Sequence, residues 1–288
     1  MTRPLAQRLR DPDAAERRAA CLAAAEDPAA ALWIEALGAL LGDPVKAVSR
    51  AAADALARIG RRERAVQDVL RDALRSPSPA RRFAALHASV RLAPPQPSLL
   101  PAAVEALGSE DGDVRWAAAK ILVDMGRLHG EVLGVLVGLV RGGASPVTRR
   151  MAAFALRELA PDRPEAARVL LEATHEGDVG VRRAAFTAIA ALLDPPPEVV
   201  ARLRHALASE PDVAARRIAA VALGELARRA EGGLDEASRA ALEAAAAGGD
   251  ADLRRAAERA LGREARPAEA GRGRDASTGA PGARGGAA

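Results

Sequence analysis

Apolar and polar positions alternate along this chain in blocks rather than residue by residue. An apolar stretch of helical period gives way to a short loop carrying Asp, Pro or Gly. One or two arginines follow, and then an alanine-rich stretch that closes near Leu-Gly or Leu-Ala. The clearest copies are DGDVRWAAAKILVDMG (111–126), GDVGVRRAAFTAIAAL (177–192) and EPDVAARRIAAVALGELA (210–227). Weaker ones lie at 43–60, 76–93 and 145–160, and the ends carry DPDAAERRAACLAAA (11–25) and DADLRRAAERALG (250–262). The opening arginines Arg82, Arg115, Arg149, Arg182 and Arg216 are spaced 33, 34, 33 and 34 residues apart. A repeat of this length filled by two helices predicts a stacked array of helical hairpins. Eight units fit, the first and last degenerate because a terminal unit must turn one face to water.

The residue choices suit that architecture. Loop aspartates such as Asp43, Asp113, Asp178 and Asp212 are placed to accept the free N–H groups at the start of the second helix. Arginine at a helix start opposes the helix dipole, so its recurrence predicts another role, a ladder of Arg–Asp hydrogen bonds between adjacent loops. Alanines let neighbouring helices approach closely, and prolines at 94, 95 and 97, at 161 and 164, and at 195–197 end helices and set the turns.

On these residues the chain resembles HEAT repeats, in particular the short phycobilisome-lyase-type HEAT-like repeats, over roughly residues 4–262. The resemblance implies an all-α fold: an α-solenoid, a right-handed superhelix of about eight helical hairpins whose second helices line the concave wall. The expected division is a solenoid at 1–262 and a disordered Gly/Ala/Arg-rich tail at 263–288, which has too little apolar surface to offset ordering.

Composition narrows the function classes. Ala and Leu dominate the apolar residues, which favours helix. Of 42 basic residues only Lys46 and Lys120 are lysine. The tail holds five arginines and three acids, so residues 1–262 carry 37 basic against 35 acidic side chains, a net of +2. That balance argues against a general polyanion binder and makes nucleic acid a secondary expectation. Cys21 is the sole cysteine, which excludes an internal disulfide and a cysteine-based zinc site. No h-region or long apolar run points to export or to a membrane span, so a cytoplasmic monomer is expected.

No catalytic residue, cofactor or metal site is expected. The four histidines, His87, His129, His175 and His205, show no helical metal-ligand spacing. His175-Glu176 resembles one step of the His-Glu pairs of deoxyhypusine hydroxylase, an enzyme that needs several. Walker, dinucleotide and nucleophile-elbow motifs are missing. HEAT-like alkylpurine DNA glycosylases and phycobilisome lyases are alternatives without a matching motif or an assignable bilin site. Cys21 reads as a small core residue, as do Phe186 and Trp33 among larger ones.

Aligning units on the closing leucine exposes two columns on the second helix, four residues apart and so on one face. One runs Arg50, Phe83, Trp116, Arg150, Arg183, Arg217, Arg255; the other runs Asp54, His87, Lys120, Phe154, Thr187, Val221, Arg259. Phe83, Trp116 and Phe154 cluster mid-chain and are flanked by arginines, the composition of a protein-binding hot spot. The candidate partner surface is therefore Phe83, His87, Trp116, Lys120, Arg150, Phe154, Arg183 and Arg217, on a non-catalytic scaffold for a protein or peptide segment. The competing reading has the same bulky residues filling gaps between alanine-rich repeats.

Overall fold

A computed structural model describes residues 3–262, and the predicted tail at 263–288 lies outside them. Sixteen α-helices pair into eight hairpins. In chain order these are α1 (Leu5–Arg8) with α2 (Ala14–Glu26), α3 (Ile34–Leu40) with α4 (Lys46–Ile59), and α5 (Ala65–Ala73) with α6 (Pro79–Leu92). Then come α7 (Leu100–Ala106) with α8 (Gly112–Leu128), α9 (Glu131–Gly142) with α10 (Pro146–Leu159), and α11 (Pro164–Ala173) with α12 (Val179–Ile189). The last are α13 (Pro197–Ser209) with α14 (Val213–Arg229) and α15 (Glu236–Ala246) with α16 (Ala251–Ala260). Short 3-10 turns at Ala30–Trp33 and Pro97–Leu99 lead into α3 and α7. Except between α6 and α8, the even-numbered helix of each unit packs on that of the next, which builds the solenoid.

One column of alanines sets that packing. Ala20, Ala52, Ala85, Ala118, Ala152, Ala185, Ala219 and Ala257 occupy the same position in all eight second helices, and every one is fully buried. Glycine marks other tight points: a Cβ on Gly224 of α14 would stand 2.8 Å from Ala260 Cβ of α16.

Capping follows the sequence with two corrections, at Asp113 and at Asp43, since the N-cap of α4 is Val45 and no side chain caps it. Asp13, Asp178, Asp212 and Asp250 each cap the helix they precede by accepting an N–H. In unit 4 the cap is Asp111, accepting from Asp113 N and Val114 N, and Asp113 itself lies in the first turn of α8. Asp43 accepts the Val45 N–H in the loop before α4.

The recurrent arginine ties each loop to itself and to its successor. Arg17 donates to the Asp11 and Pro12 carbonyls of its own loop and doubly to Asp43 of the next, at 2.7 and 3.0 Å. Arg182 does the same with the Glu176 and Gly177 carbonyls and with Glu210. Arg82 bridges Ser76 O to Glu105, Arg115 holds only its own loop through the Ser109 and Glu110 carbonyls, and Arg149 pairs with Glu176 at 3.9 Å. The expected ladder exists, but glutamate supplies most of its acid rungs. Arg216 departs from it, its Nε enclosed without a hydrogen-bond partner.

Stacking fails at one joint. The second helices α6 and α8 hardly touch, and neither do α5 and α7, so units 3 and 4 are joined through α6 and α7. The buried core divides into two clusters that meet on α6. Two positions set unit 3 apart from its neighbours. Where other units have Val48, Val114, Thr148, Val181, Ala215 or Leu253 at the N-terminal end of the second helix, unit 3 has Arg81. Where they have Leu56, Leu122, Leu156, Ile189, Leu223 or Leu261 at the closing position, unit 3 has Ser89, whose Oγ turns back to the Ala85 carbonyl.

The alanine column makes a direct prediction. Ala185→Leu, which forces a larger side chain between α10, α12 and α14, lowers unfolding free energy by about 1–3 kcal/mol, measured by denaturant titration. An unchanged midpoint would mean that the helices have slack at that position.

Candidate functional site

The failed joint opens a cleft of about 1130 Å³. One wall is α4, with Lys46, Arg50, Ala53 and Asp54. The floor is α6, with Phe83, Ala84 and His87. The far wall is the end of α7 and the start of α8, with Val104, Ala106, Val114 and Ala117. The interior is apolar and the rim is charged. Lys46 Nζ reaches across unit 3 to Asp111 Oδ2 at 2.5 Å and to Asp113 Oδ2 at 3.0 Å, and Arg50 joins Asp113 at 3.3 Å. Arg91 pairs with Asp54 at 3.0 Å, and Arg82 with Glu105. Hydrogen bonding to Asp111, then to Asp113, raises the Lys46 pKa, and Lys46 in turn lowers that of Asp113. His87 is pushed below the ordinary imidazole value by burial first and by Arg91 second, against a weaker pull from Asp54. It is neutral at pH 7.

The structure divides the sequence-predicted residues into three groups. Phe83 and His87 lie in the cleft, their rings 6.3 Å apart. Trp116, Lys120, Arg150 and Phe154 form a neighbouring patch on α8 and α10. Trp116 is 57% exposed and its ring stands 5.2 Å from that of half-buried Phe154, tilted by 39°. Lys120 is exposed and pairs weakly with Asp124 at 3.5 Å. Arg150 lies over Gly180, where an added Cβ would come within 2.8 Å of its Nη1. Arg183 and Arg217 form the third group and serve as inter-unit staples. Arg183 holds Asp212 through Nε at 2.8 Å and Nη2 at 2.6 Å, and Arg217 stands 3.7 Å from Asp252.

That pairing has an electrostatic signature. The Arg183 hydrogen bonds lower the Asp212 pKa to about 2, helped by the Ala215 N–H and opposed by burial. Glu210 also sits below the carboxylate norm: burial works against its charge, and Arg182 with the Asp212 N–H outweighs it.

The remaining chemistry-bearing residues stand apart. Cys21 is fully buried, and burial raises its thiol pKa to about 12. Phe186 is fully buried with Arg202 over its ring at 5.3 Å. Trp33 is half-buried and donates from Nε1 to Asp27. His175 is exposed in the α11–α12 loop. Among the described residues no group of three or more His, Cys, Asp or Glu is arranged to hold a metal ion, and no helix is long and apolar enough to cross a membrane. Sequence reasoning missed the cleft itself.

A family model for HEAT repeats matches residues 2–89, 68–157, 133–224 and 167–262, which together span the whole array. The chain belongs to the HEAT-repeat family. No curated protein matches it. Among solved structures, this HEAT-repeat chain is similar to the Escherichia coli protein YibA, at 18% identity over 90% of this chain and 91% of that one, with a TM-score of 0.54. It is also similar to an engineered protein, at 23% identity over 90% and 77% of the two chains with a TM-score of 0.47. Human deoxyhypusine hydroxylase gives 22% identity over 90% and 94%, with a TM-score of 0.38. At such identities the likeness concerns the fold alone.

Two predictions follow from the placement of these side chains. Phe186→Ala costs about 3–5 kcal/mol of unfolding free energy, whereas Trp116→Ala costs at most about 1.5 kcal/mol, the worth of an aromatic pair. Calorimetry of the two variants separates core from surface, and a larger loss for Trp116→Ala would mark it as core. Arg183→Gln is less stable than wild type at pH 7. Because the folded Asp212 pKa is depressed, the gain it brings is present above the unfolded value and lost as pH falls. The gap between the two proteins therefore narrows from about pH 4 to about pH 2. A gap that stays constant in acid unfolding would show that Asp212 is not the partner that matters.

Proposed function

We propose that this HEAT-repeat chain is a non-catalytic scaffold that docks a segment of another protein on its second-helix face, anchored at Trp116 and Phe154. The observation carrying this is the Trp116 ring, 57% exposed and tilted against that of Phe154 at 5.2 Å. A large apolar ring left in water on a rigid helical face is the kind of anchor on which binding energy concentrates. Flanking Lys120 and Arg150 supply polar rim contacts. Other features agree with a binding role. The Cys21 thiol is enclosed and protonated, and His87 is desolvated beside arginines. The arginines of the column that could track a phosphate backbone are tied to carboxylates at Asp113, Asp212 and Asp252. This favours a polypeptide over nucleic acid.

Affinity capture from native lysate with wild type and Trp116→Ala tests the reading, circular dichroism first establishing that both fold. A protein held by wild type and retained about 30-fold more weakly by the variant, a loss typical of a hot-spot residue, supports it. Equal capture by both, or capture dominated by nucleic acid with a steep salt dependence, overturns it.

A further inference from the structure

The cleft between α4, α6 and α8 lies at the one joint where consecutive second helices do not close on each other. Every other pair of consecutive second helices closes on the alanine column, while α6 and α8 part although Ala85 and Ala118 are both present. The opening is lined by apolar side chains from three units, among them Ala53, Phe83, Val114 and Ala117. Its volume of about 1130 Å³ is slightly above the roughly 300–1,000 Å³ of most ligand pockets. The rim charges are already paired among themselves, Lys46 and Arg50 with Asp111 and Asp113, Arg91 with Asp54, Arg82 with Glu105. A charged occupant would have to break one of these pairs or remain unpaired in a desolvated place, which costs far more than burying an apolar group. Ala117 on the cleft wall directly follows Trp116, so α8, the helix that forms that wall, also carries the exposed aromatic ring.

We infer that this cleft is a gated site for an uncharged apolar anchor carried by the polypeptide that docks at Trp116, and that Lys46 is its gate. This rests on the docking reading above and adds where the anchor goes. The anchor fills the gap between α6 and α8. The gate is the salt-bridged strap from Lys46 to Asp111 and Asp113, which spans the mouth between units 2 and 4. All three side chains are partly exposed, at 43%, 38% and 71%. Such pairs are weak and screened by salt, so the strap opens readily.

The uncharged dye Nile red tests the site without the partner. Wild type is expected to take up one dye per chain with enhanced fluorescence. Two filling variants, Ala117→Trp and Val114→Phe, are expected to weaken uptake at least about tenfold, as loss of a ligand's apolar contacts does, while their far-ultraviolet dichroism and unfolding midpoints stay with wild type. Lys46→Gln should speed dye entry about 2–5-fold, the range that opening an exposed ion pair allows. Raising NaCl to about 1 M, where the screening length falls to about 3 Å, should do the same to wild type and nothing further to the variant. No saturable uptake by either wild type or Lys46→Gln overturns the site, and so does equal uptake by a filling variant that folds normally. Entry rates indifferent to both Lys46→Gln and salt overturn the gate. If the captured partner is lost by Trp116→Ala yet held undiminished by both filling variants, the docking reading stands and the inserted anchor is refuted.

Discussion

The structure depends on how close two helices can come when the residue between them is alanine. The column from Ala20 to Ala257 places a fully buried alanine at the same position of every second helix. That single limit repeats the same stacking offset from unit to unit. It also brings neighbouring loops near enough for one arginine to hold its own loop carbonyls and a carboxylate of the next unit, as Arg17 and Arg182 do. With the start of each second helix given to the arginine clamp, the positions of Trp116 and Lys120 stay at the surface, while Phe154 packs half-buried against the core. A solenoid separates stability from recognition in this way, because each unit answers only to its neighbours.

The same nearest-neighbour logic explains how the chain tolerates a faulty joint. In a globular domain an arginine and a serine in place of two apolar residues would damage a shared core. Here the loss is confined to units 3 and 4, and the core continues as separate clusters on either side of α6. What remains across the joint is the α6–α7 contact, where Leu86 is buried with residues of the following units, and a set of polar links: the strap from Lys46, the Arg82–Glu105 pair, and the contact of His129 Nε2 with the Pro95 carbonyl at 3.0 Å. Polar links across a thin interface are weaker and more sensitive to salt than the aliphatic packing they replace. Opening of the array is therefore expected there before it reaches the alanine-stacked units.

Most of the fold was legible because periodicity reports helices and their spacing reports units. Eight hairpins, the capping aspartates at 178 and 212, the arginine ladder and the burial of Phe186 and Cys21 all follow from residues read in register. The cap at Asp111 was not legible, because EDGD offers two aspartates and only the loop geometry decides between them. Glutamate in the ladder was missed for a similar reason: Glu105 ends a first helix and Glu210 ends another, outside the loop motif. The candidate surface was legible as a face but not as sites. Column membership could not tell that Phe83 turns into a cleft, that Trp116 meets Phe154, or that Arg183 and Arg217 are held by acids one unit on. A repeat shows which residues share a column, whereas an irregularity in one unit decides what that column does.

The near-neutral balance of residues 1–262 takes on meaning from those pairs. A column reading Arg50, Arg150, Arg183, Arg217, Arg255 looks like a basic stripe, yet Asp113, Asp212 and Asp252 answer four of the five. The acids are at or near the N-termini of second helices, where the dipole and free N–H groups already favour a negative charge, so each carboxylate serves its own helix and the preceding arginine at once. A partner that sought this face through charge would compete with both. Recognition that leaves the pairs intact must draw on shape and apolar area, and on this surface those are concentrated where the arginine column is interrupted, at Phe83 and Trp116.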